Sequence, residues 1–147
     1  MNTKLYKKKW IAAFALAGAV SLAASCQTMS MGGVEQVSLT GANEVPPVTT
    51  SASGSGTVTI KEDHSVAAKI TITGMTPTAA HIHEAAAGSN GAVIVPFTKT
   101  GDNTFEAPAG AKLTDAQYAS YKAGKLYVNV HSAQHPGGEI RAQLKGS

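Results

Sequence analysis

The chain has 147 residues, a formal charge of +3, one cysteine and one tryptophan. Four of its 12 basic residues, Lys4, Lys7, Lys8 and Lys9, fall in the first ten positions. Beyond residue 25, eight basic residues face nine acidic ones, so the basic character belongs to the leader and a nucleic-acid partner is excluded.

Residues 1–25 have the layout of a secretory signal: the four lysines, an apolar run from Trp10 to about Val20, then small residues. The run is about half the roughly 20 residues a membrane-spanning helix needs, so cleavage is expected rather than spanning. The tetrapeptide Ala23-Ala24-Ser25-Cys26 resembles the lipobox of bacterial lipoproteins, in which the cysteine is lipidated and becomes the first mature residue. It departs from the commonest form by carrying alanine three positions before the cysteine, with Leu22 one position further out. The alternative is an ordinary signal with a free thiol left over. Gln27 follows Cys26 where aspartate often retains lipoproteins at the inner membrane, so the expected location is the outer membrane, facing the periplasm or cell surface. As Cys26 is the sole cysteine, the mature domain holds no internal disulfide.

Residues 26–33 read as a flexible tether, and residues 34–147 as one domain. Strands are expected at Val34–Thr40, Gly56–Ile60 and Val66–Thr73, the last two joined by the polar turn Lys61–Ser65, where His64 reads as a solvated loop residue. Gly74 and Pro77 precede a strand at Ala79–Ala85, and Gly88-Ser89-Asn90-Gly91 leads into Ala92–Thr98. Gly101-Asp102-Asn103 then turns into Thr104–Ala107. Thr114 is the expected N-cap of a helix over 115–122, with Gln117 completing a capping box, Gly124 stopping it, and Leu113, Tyr118 and Tyr121 on its apolar face. Two strands, Lys125–Ser132 and Glu139–Leu144, flank the loop Ala133–Gly138. Seven or eight strands and one short helix predict an all-β fold, an antiparallel β-sandwich of Greek-key type.

Four of the five histidines fall in two clusters, His81-Ile82-His83 and His131 with His135. Side chains two apart on a strand share a face, so His81 and His83 project together while Ile82 points to the core. The same parity places Leu126, Val128 and Val130 inward, and Tyr127, Asn129 and His131 on the other, exposed face. On neighbouring strands, about 4.8 Å apart, three imidazoles would converge, with His135 able to fold back as a fourth ligand. A histidine-only set favours Cu(II) or Zn(II) over Cu(I). The bland alternative is a set of surface histidines with no ligand. Nothing resembles a nucleophile elbow or a phosphate loop, and five aromatics without a tryptophan beyond residue 25 argue against a carbohydrate platform. Glu44-Val45-Pro46-Pro47 reads physically as an extended edge stiffened by two prolines.

Three segments in order carry a resemblance: Leu39-Thr40-Gly41-Ala42-Asn43-Glu44-Val45-Pro46-Pro47, Ala80-His81-Ile82-His83, and Tyr127-Val128-Asn129-Val130-His131-Ser132 with His135-Pro136-Gly137-Gly138-Glu139-Ile140-Arg141. Together they resemble the CHRD (chordin-type) domain, from about Val37 to Leu144, a domain widespread in exported bacterial proteins. More distantly, His81, His83 and His131 are similar to three copper ligands of the Cu,Zn superoxide dismutases, which are Greek-key β-sandwiches. No histidine lies between His83 and His131, so the bridging histidine and the zinc loop of that family have no counterpart. Arg141 matches no substrate-guiding motif. The two histidine clusters and the lipobox together predict an envelope-anchored module that binds copper, or else zinc, through His81, His83 and His131 with His135 as fourth ligand, for storage, buffering or transfer. The alternatives are a copper-only, dismutase-like enzyme and an adhesion or assembly module without metal.

Overall fold

Alternating apolar residues build the longest hairpin. In β2 (Ser53–Ile60) and β3 (Val66–Thr73), Val58, Ile60, Val66, Ile70 and Ile72 are buried, and the strands pair from Ser53↔Thr73 to Ile60↔Val66. The turn between them is tied by Asp63, whose Oδ1 accepts from the Ser65 N–H at 3.0 Å and the Ser65 hydroxyl at 2.6 Å, an Asx-type closure. The computed structural model describes residues 33–146. The predicted signal, Cys26 and all of the tether but Gly33 therefore lie outside the described residues.

The remaining elements are β1 (Val34–Thr40), β4 (Pro77–Glu84), β5 (Ala92–Pro96), β6 (Thr98–Gly101), β7 (Thr104–Glu106), helix α1 (Asp115–Lys122), β8 (Leu126–Ser132) and β9 (Ile140–Gln143), with one 3-10 turn at Gly41–Asn43. All pairings are antiparallel, in the order β5-β4-β8-β9-β1-β2-β3-β7-β6. The fold is all-β with one short helix, as expected. Its hydrogen bonding runs through one continuous sheet of nine strands. The junction between its halves is a single register pair, Thr40↔Arg141. At the far ends, β5 and β6 are separated only by Phe97, whose N–H donates to Ala80 O at 2.9 Å, so the sheet curls into a nearly closed barrel. Leu39, Ile70 and Phe105 from one half and Ile82, Val128, Val130 and Ile140 from the other enter one apolar core. Each fully buried side chain of this kind stabilises the fold by about 1.5–3 kcal/mol.

The ninth strand is β6, which falls between the strand expected to end at Thr98 and the turn expected at Gly101. All four of its residues are exposed, so no alternation marks it. The helix is as predicted: Thr114 Oγ1 accepts from the Gln117 N–H and the Gln117 side chain returns a bond to the Thr114 N–H. Tyr121 is buried against the core, and its hydroxyl donates to Glu35 Oε1 at 2.8 Å. His64 is not the solvated residue expected; its ring stacks on Tyr118 at 4.4 Å and its side chain is only 25 % exposed. Among the described residues no helix is long and apolar enough to cross a membrane.

Candidate metal centre

Strand β8 is buried on both faces along its whole length. Its inward face, Leu126, Val128 and Val130, follows from parity; burial of the outward face, Tyr127, Asn129 and His131, does not, and corrects the expectation of an exposed patch. Two loops cover that face, residues 85–91 between β4 and β5 and residues 133–139 between β8 and β9.

Arg141, on the outward face of β9 and 1 % exposed, fastens the first loop. Its guanidinium donates to Ser89 O at 2.9 Å, Asn90 Oδ1 at 3.3 Å and Ala86 O at 3.4 Å, and also to Gln143 Oε1 at 2.9 Å. Gln143 adds a bond to Ala85 O at 3.0 Å, and the Asn90 amide donates to Val45 O at 2.6 Å. The second loop is seated on a buried polar group: Asn129 donates to the Glu44 carboxylate and to Ile140 O, while Glu139 accepts from the Thr50 and Ser132 hydroxyls. Burial pushes the Glu44 carboxyl above its usual range, with the Asn129 amide and Arg141 opposing it. Burial also acts to raise Glu139, but its hydroxyl donors prevail and leave it lowered. The Glu44-Val45-Pro46-Pro47 segment is thus no free edge, since Glu44 is buried against Asn129.

β4 pairs with β8 so that His81 faces Asn129, His83 faces Tyr127 and Ala79 faces His131. His131 therefore lies one step diagonally from His81. The three rings form a triangle with centroid separations of 4.8 Å for His81–His131, 5.5 Å for His81–His83 and 5.8 Å for His83–His131. His83 and His131 are 8 % and 9 % exposed, and His81 is half-buried.

Each ring nitrogen has a definable role. His83 Nδ1 lies 3.0 Å from Gly91 O and His131 Nδ1 lies 2.9 Å from Pro136 O. A carbonyl only accepts, so both Nδ1 atoms carry the proton and both Nε2 atoms present a lone pair. His81 Nδ1 is 3.0 Å from His131 Nε2 and donates to it. His83 Nε2 is buried with no hydrogen-bond partner among the described residues. Desolvation pushes His81 down to about 4, with His131 and His83 adding to it, and lowers His83 and His131 as well. All three are neutral at pH 7, the state a metal requires.

Three ligand atoms, one from each ring, lie within 4.8 Å of one another. Bonds of about 2.0–2.1 Å to a tetrahedral ion would need them about 3.3 Å apart, so the three rings would have to draw together. The two backbone carbonyls are the outer partners that metal-bound histidines ordinarily have. Of the four predicted ligands the structure gathers three. His135 stands outside the group, lining a hollow with Glu44, Val45 and Asn90. Its loop contributes through the next residue, whose carbonyl orients His131. Sequence reasoning missed the carbonyls of Gly91 and Pro136 and the clamp of Arg141; the only signal for the clamp was a lone arginine beyond residue 25.

The family model of the CHRD domain matches residues 36–144. No curated protein and no solved structure matches the chain.

Proposed function

The chain belongs to the CHRD domain family, and from that premise we propose that it is an envelope-anchored module that binds a metal ion, copper above zinc, through His81, His83 and His131. The observation that carries the reading is the buried Nε2 of His83, without a hydrogen-bond partner among the described residues, beside two further imidazole nitrogens, with the Nδ1 atoms of His83 and His131 set by carbonyls. An apolar pocket would leave that lone pair uncompensated; a metal ion satisfies it. His83 Nε2 and His131 Nε2 already present lone pairs, and His81 would join them through Nδ1 by moving its proton to Nε2, giving up its hydrogen bond to His131. Neutral nitrogen donors without a thiolate suit Cu(II) or Zn(II), and three of them leave a coordination position for exchange with a carrier or buffer ligand. That suits storage, buffering or transfer.

Arg141 cannot steer an anion to this ion, because its guanidinium is buried and committed to Ser89, Asn90, Ala86 and Gln143. The lipobox at Cys26 supports a tether in the envelope, which labelling with a radioactive fatty acid tests: label lost in Cys26→Ser supports the tether, and an unlabelled native protein removes it.

Calorimetric titration of the metal-free protein with Cu(II) decides the main reading. One tight site is expected, lost in the His81→Ala, His83→Ala double mutant. Equal binding by the double mutant refutes the three-histidine site, and a flat native titration favours an adhesion or assembly role.

A further inference from the structure

We propose that Arg141 is a positioning residue for His83, setting the tautomer and orientation of that ligand through two routes. This rests on the metal-site reading for its consequence and on geometry alone for its mechanism. The first route is the loop. Arg141 holds Ala86 O, Ser89 O and Asn90 Oδ1, which fixes the segment ending at Gly91, and Gly91 O takes the His83 Nδ1 proton at 3.0 Å. The second route is a stack. The Arg141 guanidinium carbon lies 3.5 Å from the centroid of Tyr127, and Tyr127 stacks on His83 at 4.9 Å and 10°. The routes meet, because the Tyr127 hydroxyl accepts the Gly91 N–H at 3.1 Å. His83 is thereby held in its plane by one partner and in its tautomer by the other.

Planarity and multiple donors suit arginine to this position, since it stacks on a ring while its N–H groups span several acceptors, which a lysine ammonium cannot do. A glycine at 91 is part of the same device, as a Cβ there would lie 1.8 Å from Glu84 O and displace the carbonyl that holds His83. His131 provides an internal control. Its Nδ1 is held by Pro136 O, on a loop that makes no hydrogen bond to the Arg141 guanidinium among the described residues.

The test is long-range proton–nitrogen NMR of the histidine rings in metal-free Arg141→Met, together with Cu(II) titration and the Cu(II) electron paramagnetic resonance spectrum. In the native protein His83 is expected as the pure Nδ1–H tautomer. In Arg141→Met, His83 is expected to become a tautomer mixture while His131 stays unchanged, with Cu(II) affinity falling about tenfold or more and the copper hyperfine coupling shifting. A folded Arg141→Met with native His83 tautomer and native affinity overturns the proposal. If Arg141→Met does not fold, Tyr127→Phe replaces it: the ring stack stays, the Gly91 contact goes, and a partial His83 shift is expected, with an unshifted His83 counting against the proposal. Should the native protein bind no copper while His83 still responds to Arg141, the positioning role stands and the metal reading falls.

Discussion

Replacing Gly138 with alanine should be among the most damaging single-atom additions to this domain, whereas the same change at Gly137 should be nearly silent. Gly138 has φ +129°, a backbone conformation that side chains with a Cβ rarely adopt. A Cβ there would sit 2.5 Å from Asn129 Oδ1, 2.7 Å from its Nδ2 and 2.9 Å from Glu44 Oε1. Those atoms belong to side chains only 2 % and 6 % exposed, with little room to retreat. Backbone strain of about 1–3 kcal/mol adds to about 1–3 kcal/mol for disrupting the buried Asn129–Glu44 bond, so Gly138→Ala should lose about 2–6 kcal/mol. A Cβ at Gly137 meets nothing within 4 Å, and its φ is not in the left-handed range. Urea unfolding followed by circular dichroism measures both. With a slope near 2 kcal/mol per M, the midpoint of Gly138→Ala should fall by about 1–3 M. If the two variants unfold within about 0.5 kcal/mol of each other, the assignment of Asn129 and Glu44 as the rigid seat of the β8–β9 loop is wrong.

Metal should stabilise the fold by linkage: free Cu(II) at 100 times its dissociation constant adds about 2.7 kcal/mol, visible as a raised thermal midpoint that His83→Ala abolishes. The metal-free protein should lose stability on acidification. His81, His83 and His131 have folded pKa values lowered by burial, so the unfolded chain binds more protons; their contribution is complete above pH 6.5 and is lost as pH falls towards about 4, the value for His81. Replacing all three histidines with glutamine should flatten that part of a stability-against-pH curve. Glu35 accepts from the Tyr121 hydroxyl at 2.8 Å, the Lys145 N–H at 2.7 Å and the Gly146 N–H at 3.2 Å. Glu35→Ala should cost about 1–3 kcal/mol and speed amide exchange at Lys145 and Gly146.

Much of this was legible because period-two alternation is a local signal. The bounds of β1 and β3, the capping box of α1 and the shared face of His81 and His83 all follow from neighbours in sequence. The convergence of His131 on that pair required only that β4 and β8 be adjacent, which they are. The covering of the outward face was not legible, since it depends on Arg141 reaching residues 86–90, a contact some fifty positions distant that no periodicity encodes. His135 lies outside the histidine group for a related reason. Its spacing from His131 suits a ligand, but Pro136 turns a carbonyl, not an imidazole, towards His131. β6 escaped because a fully exposed strand carries no burial pattern to read.

The order of strands also governs when the site can exist. β8 sits between β4 and β9, and β9 meets β1 at Thr40, so the last two strands made fill the middle of the sheet. A chain emerging N-terminus first presents His81 and His83 long before His131 is available, and the early strands wait with open edges on both sides of the gap. Closure and completion of the histidine triangle are then one event. An incomplete chain offers only two of the three imidazoles, on an unfixed strand, so a metal bound as proposed would require the finished domain.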